Sequence, residues 1–441
     1  MSSPGQAPIV HNAAAADSVP AVVMDASYRM ALAVIRALGG AGVPVVAVER
    51  QGIPPRYVLG FWSRYTRARC LVPSPRERDG RALLESLDDV LRRVQAGAAG
   101  EVAAVRKRQP WVLVPVTLPS VIWAARFSGE LGRLGVSGVR VALPSPERIL
   151  RADNTDALLP LAEAAGVAVP RTFRPPSQVG REGQARQGQA DVEEWARSLP
   201  YPLIVKYRQA DAIWPPVAVR YRVVCSPAEL VAAYLEMDGR QPDPLVQEFI
   251  AGEGYGVSAV IDGEGRPVSL FCHHRLREYP VGGGPSTFCE SVWDPHLAEL
   301  GLAVLRALDW FGLAMVEFRR DRQGEYRLLE VNPRFWGSLP LALSAGTNPP
   351  LALYQAARGE RLPEVKIEKQ PPYRVGVRLR FLLSDLRAAP GYARQTAQPW
   401  RWWLRYAGEL LDPRIKDGVL SFSDPLPGLL YLLRAAASAG G

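Results

Sequence analysis

Apolar residues recur along this chain in two rhythms. Residues 21–24 (AVVM) form a short apolar run that ends at Asp25. A segment with helical spacing follows from about Tyr28 to Leu38 and is stopped by Gly39, Gly40 and Gly42. Residues 43–48 (VPVVAV) are a second, valine-rich run. This order predicts β-α-β, with both strands buried in a parallel sheet. Runs at 111–116 and 139–143 supply more strands, so the first part of the chain reads as an open α/β sheet ending near Pro144. After the first strand the chain reads Asp25-Ala26-Ser27-Tyr28 rather than GxGxxG, and no dinucleotide is assigned there.

Beyond residue 144 the pattern changes. Asp153 is expected to cap a helix running to about Ala165 and closed by Gly166. Residues 175–192, rich in Pro, Gln, Gly and Arg, read as an exposed loop. The strand at 202–206 (PLIVK) ends in Lys206, residues 217–224 alternate, and 244–250 (PLVQEFI) form a strand leading to Gly252. Residues 255–262 and 267–271 predict a hairpin around Gly263-Glu264-Gly265. The runs 314–319 (AMVEFR) and 326–331 (YRLLEV) flank a turn at Arg322-Gln323-Gly324, which predicts an antiparallel pair. Residues 373–381 alternate again, placing Val375, Val377, Leu379 and Phe381 on one face and Arg374, Arg378 and Arg380 on the other. Three arginines on one strand face suit an anion, although a solvated sheet face is the plainer expectation. A last apolar helix, 429–436, follows Asp424-Pro425-Leu426-Pro427.

Composition narrows the function. At 441 residues and 48% hydrophobic content, the chain has material for two or three domains. The net charge of +9 comes mostly from dispersed arginine. Acidic small substrates account for it, and without a basic tract or binding signature nucleic acid is not an expected partner. The cysteines Cys70, Cys225, Cys272 and Cys289 form no CxxC pair, which suits reduced thiols in a cytoplasm. Residues 1–20 lack the apolar core of a leader and read as a tail. No transmembrane segment is expected, because the apolar stretch 111–127 is interrupted by Pro115, Thr117, Pro119 and Ser120.

The candidate chemistry lies in the last strand pair. Glu317 and Glu330 each sit in an apolar strand, and the short turn brings the two strands together. Two carboxylates aimed at one spot repel each other and resist burial unless something neutralises them. Asn332 lies on the same strand face as Glu330 and adds a neutral oxygen. Hard oxygen donors, two of them anionic, suit Mg²⁺ shared with a triphosphate. His273 and His274 are neighbours on a strand and point to opposite faces, so they do not make a zinc pair. His296, after a Pro at a helix start, is expected to be structural.

The run Leu328-Leu329-Glu330-Val331-Asn332-Pro333-Arg334, with Glu317 thirteen positions before Glu330, resembles the metal motif of the ATP-grasp superfamily. That superfamily includes D-alanine–D-alanine ligase, biotin carboxylase and carbamoyl-phosphate synthase. Residues 311–346 are most similar to bacterial ATP-grasp carboligases, carboxylate–amine ligases related to D-aspartate ligase, and the resemblance spans roughly residues 20–360. It implies an α/β ATP-grasp fold, with an N-terminal Rossmann-like (pre-ATP-grasp) open sheet and two α+β subdomains gripping ATP. The division expected on that basis is a disordered tail at 1–20, a pre-ATP-grasp domain at 21–145, ATP-grasp subdomains at 146–250 and 251–362, and a C-terminal extension at 363–441 packing on the body.

The same resemblance implies roles for particular residues. Lys206 is expected on the α- and β-phosphates, and Gln247-Glu248-Phe249-Ile250 is expected to be the hinge that meets adenine through main-chain groups of Glu248 and Ile250 or their neighbours. Glu253 is the candidate for the ribose hydroxyls, with a one-residue shift onto Gly254 as the other register. Arg275 is expected on the γ-phosphate, and Gly282-Gly283-Gly284-Pro285-Ser286-Thr287 reads as a loop that helps close the site. Arg334 is expected to hold the substrate carboxylate and the acyl phosphate. Glu317, Glu330 and Asn332 would hold the metal, a pair of Mg²⁺ ions or else Mn²⁺.

The implied activity is ADP-forming ligation of a small-molecule carboxylate to a small-molecule amine, with a homodimer as an open option. Two other readings stand beside it, a bicarbonate-using carboxylase or carbamoyl-type ligase and a catalytically inactive nucleotide-binding scaffold. Two departures motivate the scaffold. Asn154 occupies the place of a phosphate-binding lysine, so that either Arg148 or Arg151 substitutes or the contact is absent, and the segment after Lys206 (YRQADAIWPPVAV) lacks a glycine-rich cover. The stretch Trp400-Arg401-Trp402-Trp403-Leu404-Arg405-Tyr406 is expected to pack a helix onto the body.

Overall fold

The computed structural model describes residues 19–77, 79–95, 109–135, 137–175, 189–210, 213 and 219–439. Residues 1–18 of the expected tail, 176–188 of the expected loop, and 211, 212 and 214–218 of the segment after Lys206 lie outside these.

The first sheet follows the predicted β-α-β order. Its elements are β1 (Ala21–Val23), α1 (Arg29–Gly40), β2 (Val45–Arg50), β3 (Thr66–Val72), α2 (Arg81–Gln95), β4 (Trp111–Val114), α3 (Leu118–Arg126), α4 (Ser128–Leu131) and β5 (Val139–Arg140). All pairs are parallel, in the order β3-β2-β1-β4-β5. The pattern missed β3, an edge strand whose exposed Arg67 and Arg69 break the apolar run and discourage further pairing. Where a glycine-rich loop would begin, Asp25 adopts φ +61°. Its carboxylate accepts from Val116 N (3.2 Å), Thr117 N (2.8 Å) and Ser120 Oγ (2.8 Å), so an acidic side chain caps α3 at the point where the strand order reverses.

A small antiparallel sheet follows. The elements are α5 (Pro146–Asp153), α6 (Thr155–Ala164), β6 (Thr172–Phe173), α7 (Gln189–Arg197), β7 (Leu203–Lys206), β8 (Tyr221–Val224), α8 (Pro227–Asp238) and β9 (Leu245–Glu248), with strand order β6-β9-β7-β8. The helical cap expected at Asp153 is instead Asn154, whose side chain accepts from Asp156 N (3.0 Å) and Ala157 N (3.4 Å). Asp153 closes α5, the helix before it.

The third sheet carries the chemistry. Its strands are β10 (Gly252–Ile261), β11 (Pro267–Glu278), β12 (Ser286–Val292), β13 (Gly312–Asp321) and β14 (Tyr326–Asn332), joined by β15 (Arg378–Arg380) and β16 (Lys416–Asp417). The order is β14-β13-β10-β11-β12-β15-β16. One face buries Val257, Val316 and Phe318 under α9 (Pro295–Ala307) and α6. The other buries Phe271, Cys289 and Met315 in a core shared with β1 and α1. Each such side chain contributes about 1.5–3 kcal/mol when fully buried, enough to fix which face is which.

The helices α10 (Leu339–Ala345), α11 (Pro349–Ala357), α12 (Leu382–Arg394), α13 (Pro399–Leu411) and α14 (Pro425–Ala439) complete the fold. The strand expected at 373–381 is confined to β15, because Gly376 turns the chain with φ +77°. Its arginines do not share an open face. Arg374 donates to Ser344 O, Arg378 to Glu290, and Arg380 to the Glu409 and Leu410 carbonyls. On α13 the expected packing holds for Trp402 and Tyr406, whereas Trp400 and Trp403 are 60% and 43% exposed. Asp424 fastens the C-terminal region to α1 and to the segment leading into β3, accepting from Arg36 Nε (2.9 Å), Ser63 Oγ (2.8 Å) and Arg64 N (2.9 Å). No helix among the described residues is long and apolar enough to cross a membrane.

Candidate nucleotide and metal site

The antiparallel register pairs Glu317 on β13 directly with Glu330 on β14, and a bulge between Glu317 and Phe318 follows. Asn332 pairs with Met315, one step along the same face. Its Nδ2 donates to Glu317 Oε1 and Glu330 Oε1, both at 3.0 Å. The three side chains therefore converge as strand geometry predicts. Burial lifts the Glu317 carboxyl above the ordinary carboxylate range and Glu330 adds to the lift, against the pull of Arg275 and Arg334.

Cations surround the pair. Arg275 Nη2 lies 2.5 Å from Glu317 Oε2, and Arg275 Nη1 lies 3.8 Å from Glu278. Lys206 ends β7 in the small sheet and crosses to the large one, where Nζ donates to Leu329 O at 3.3 Å. Burial lowers the Lys206 ammonium's pKa, while Glu330 and Glu317 oppose the shift. Arg334, two residues past Asn332, donates to Phe335 O and lies near enough for its charge to act on Glu317.

The expected hinge joins the two sheets. Phe249 N donates to Pro202 O (3.3 Å), and Arg319 Nε donates to Ile250 O (3.3 Å). The Glu248 carboxylate turns outward to Arg171, accepting from its N (3.0 Å) and Nε (3.3 Å), and Gln247 is buried against Thr172. Glu248 N is engaged as well, donating to Arg171 O at 3.0 Å.

Glu253 does not join this group. The register pairs Gly254 with Arg275 and Gly256 with Glu317, so the site face of β10 carries glycines, and Glu253 points to the opposite face. There it is 61% exposed, 3.6 Å from His274 Nε2, and accepts from Tyr255 OH. Gly254, the other register considered for the ribose contact, is on the face of Glu317 and Arg275 and has no side chain. Asn154 is occupied as a helix cap, and Arg148 is ion-paired with Asp309.

Sequence reasoning overlooked several neighbours. His273 lies on the site face and His274 on the other, as expected. His273 is fully buried, and its Nε2 lies 3.2 Å from Ser338 Oγ. Arg319 Nη2 donates to Gly282 O (3.1 Å), and Tyr221 OH donates to Gly283 O, so the Gly282–Thr287 segment is clasped between β8 and β13. The alternation of β13 was the signal for Arg319, two residues from Glu317. Nothing local marks Tyr221 or Ser338.

The donor set fits a hard divalent ion. Among the described residues no three His, Cys, Asp or Glu side chains cluster, and the set here is two carboxylates and an amide. That is too few for an octahedral ion held by protein alone, and it suits one completed by phosphate oxygens and water. Asn332 Nδ2 and Arg275 supply the positive partners these carboxylates otherwise need.

Comparison with known proteins agrees with the architecture. Residues 240–380 match a family model described as ATP-grasp in the biosynthetic pathway with Ter operon. The chain is similar to biotin carboxylase from Campylobacter jejuni (TM-score 0.55, 15% identity, 82% of this chain and 74% of that one). It is similar as well to N5-carboxyaminoimidazole synthetase from Staphylococcus aureus (TM-score 0.53, 12% identity, 79% and 78%). A third likeness is L-amino acid ligase from Bacillus licheniformis (TM-score 0.51, 16% identity, 80% and 78%). The fold is ATP-grasp.

Proposed function

We propose that this ATP-grasp chain is an ATP-dependent, ADP-forming ligase that activates a carboxylate as an acyl phosphate and transfers it to an amine. The observation that carries the reading is the convergence of Glu317, Glu330 and Asn332 from paired strands, faced by Lys206 and Arg275 from two other strands. Mg²⁺, in one or two ions, would be held by Glu317, Glu330 and Asn332 and would draw charge from the transferring phosphoryl group.

The chain's own part is positioning and charge. Lys206 grips the α- and β-phosphates as a point charge. Arg275, already extended over the carboxylate pair, turns its fork to the γ-phosphate. Arg334 holds the substrate carboxylate, whose oxygen attacks the γ-phosphorus as ADP leaves. The amine then attacks the acyl carbon and phosphate departs, with charge on both oxyanions met by fixed cations. The Glu248 and Ile250 main chain receives the base. The division at residues 145, 250 and 362 belongs to this reading, as does a cytoplasmic site of action, where Mg-ATP is plentiful and free thiols such as those recorded here stay reduced. The S. aureus and B. licheniformis enzymes are named as a synthetase and a ligase, and this supports a bond-forming reaction.

The test is ADP release from Mg-ATP over a matrix of carboxylic acids and amines, with Glu330→Gln as control. ADP formed only when both partners are present supports the ligase. AMP and pyrophosphate would overturn it. A second reading, a nucleotide-binding scaffold without turnover, is favoured by the capping role of Asn154 and the outward Glu253. ATP binding without ADP formation from any pair, bicarbonate included, would select it.

A further inference from the structure

Helix α13 turns two apolar faces in opposite directions. At about 100° per residue, Trp402 and Tyr406 fall together on one face, where both are buried in a cluster with Ala389 and Ala393 of α12. Trp400, Leu404, Ala407 and Leu411 fall within an arc of about 60° on the opposite face, and all four are exposed. Their spacing of i, i+4, i+7 and i+11 is that of a helix face meant for burial, and the stripe runs about 16 Å along the axis. Yet it lies in water: Trp400 is 60%, Leu404 66% and Leu411 83% exposed, with Trp403 beside them. Single apolar residues are ordinary on a protein surface. A continuous stripe of them, two tryptophans included, marks a surface that meets something other than water.

The charges around the stripe indicate what covers it. Arg401 and Arg405 form its flank on the side away from Trp403, and the Arg401 guanidinium lies 5.1 Å from the centre of a Trp400 ring. On α12, Arg387 and Arg394 are exposed as well. The acids of these two helices, Asp385 and Glu409, are both bound to Arg277, and Glu409 also lies 3.9 Å from Arg405. Asp412, which caps α13, is paired with Arg414. The outward charge of the helix pair is therefore positive. A bilayer with anionic headgroups complements both halves of this surface: the guanidinium groups meet phosphates, while tryptophan and leucine enter the boundary between headgroups and acyl chains. A second copy of the chain would set the same positive surface against its own. A single-stranded nucleic acid would suit the arginines and tryptophans, but Leu404 and Leu411 offer no ring on which a base can stack. Thirteen residues are enough to lie in the interface and too few to cross it.

We propose that α13 is a peripheral docking helix that lays Trp400, Leu404 and Leu411 on an anionic lipid surface, with Arg401 and Arg405 at the headgroups. Trp402 and Tyr406 hold the helix to the body while the other face is spent on the lipid. None of these residues belongs to the nucleotide and metal site, so the docking and the ligase reading stand or fall separately.

The test is flotation of the full chain with vesicles of phosphatidylcholine alone and of phosphatidylcholine mixed equally with phosphatidylglycerol. The wild type is expected to partition onto the anionic vesicles roughly 10-fold or more better than onto the neutral ones. Most of that advantage should vanish at about 0.5 M salt, where exposed charges are screened. Trp400→Ser combined with Leu404→Ser should weaken partition onto the anionic vesicles at least about 10-fold. Arg401→Gln combined with Arg405→Gln, which leaves the stripe intact, should weaken it about 10–30-fold and change partition onto neutral vesicles by no more than about twofold. All four side chains are exposed, so both variants should unfold at the wild-type temperature. A wild type that ignores anionic vesicles overturns the proposal. So does a serine variant that floats as the wild type does, or binding that neither salt nor the arginines affect. Light scattering reports the rival occupant: a dimer that dissociates in the serine variant, without vesicle binding by the wild type, assigns the stripe to a second copy.

Discussion

Arg275 reaches over β10 to place its Nη2 2.5 Å from Glu317 Oε2, two strands away from its own backbone. The route is open because Gly254 lies beneath it; a Cβ there would stand 3.0 Å from Arg275 Cδ. In this arrangement one cation offsets the charge of the Glu317 and Glu330 carboxylates, and on the proposed reading the same fork turns to an incoming phosphate. Arg275→Met is expected to lower ADP-forming turnover at least about 100-fold, the scale of losing one fixed donor to a developing charge. Glu317→Gln and Glu330→Gln should each abolish the Mg²⁺ dependence of nucleotide binding, read by titration with ATP in magnesium and in EDTA.

Glycines on β10 make room for the site. A Cβ on Gly256 would meet His273 Cε1 at 2.3 Å, a contact that must displace the ring. Gly256→Ala should destabilise the protein by about 1–3 kcal/mol, the usual scale of overpacking. Gly263→Ala, in the hairpin turn where nothing lies within 4 Å, should stay within about 0.5 kcal/mol. Urea unfolding of both variants decides the matter, and equal effects would refute the packing argument.

His273 is a source of acid sensitivity. Burial, with Arg275 and His274 adding repulsion, pulls its pKa down to about 3 from the ordinary 6.5, while the Gly256 backbone opposes the shift. The folded state thus holds the neutral ring and the unfolded chain takes up the proton. Stability is fully present above pH 6.5 and falls as pH drops toward 3, by about 1.4 kcal/mol per pH unit for one proton. His273→Gln should flatten that limb in unfolding curves taken between those limits, after the shared titration of carboxylates is subtracted.

The C-terminal helices are locked by charge. Arg277 donates from Nε (2.8 Å) and Nη2 (2.9 Å) to Asp385, and from Nη1 to Glu409 (2.6 Å), with Thr287 Oγ1 also on Asp385. Asp385 is fully buried. Asp385→Ala leaves Arg277 short of its main partner and should destabilise the fold by about 3–5 kcal/mol. Thermal unfolding monitored through the tryptophans of α13 would show it, whereas a shift below about 1 kcal/mol would mean that Glu409 and water compensate.

Much of the fold was legible because its causes are local. Valine-rich runs and glycine stops gave the β-α-β opening, and the two-residue strand period put Glu330 and Asn332 on one face opposite Glu317. The missed strand β3 and the truncated β15 show the limit. Arg67 and Arg69 hide an edge strand from an apolar pattern, and a left-handed Gly376 breaks an alternation that looked continuous. Asn154 shows another, since a residue that reads as a lost phosphate ligand is the cap between α5 and α6.

By itself, the sequence determined the strand pair that carries Glu317, Glu330 and Asn332, the strand end at Lys206 and the alternation that sends His273 and His274 apart. These are set by neighbours a few residues away, where strand period and turn length act directly. Only the tertiary structure decided that Glu253 faces away from Glu317 and Glu330 and that Lys206 crosses to the Leu329 carbonyl. Each of those depends on the register of paired strands or on elements far apart in the chain, and the energy that fixes them is burial of whole sheet faces. No single stretch of residues records it.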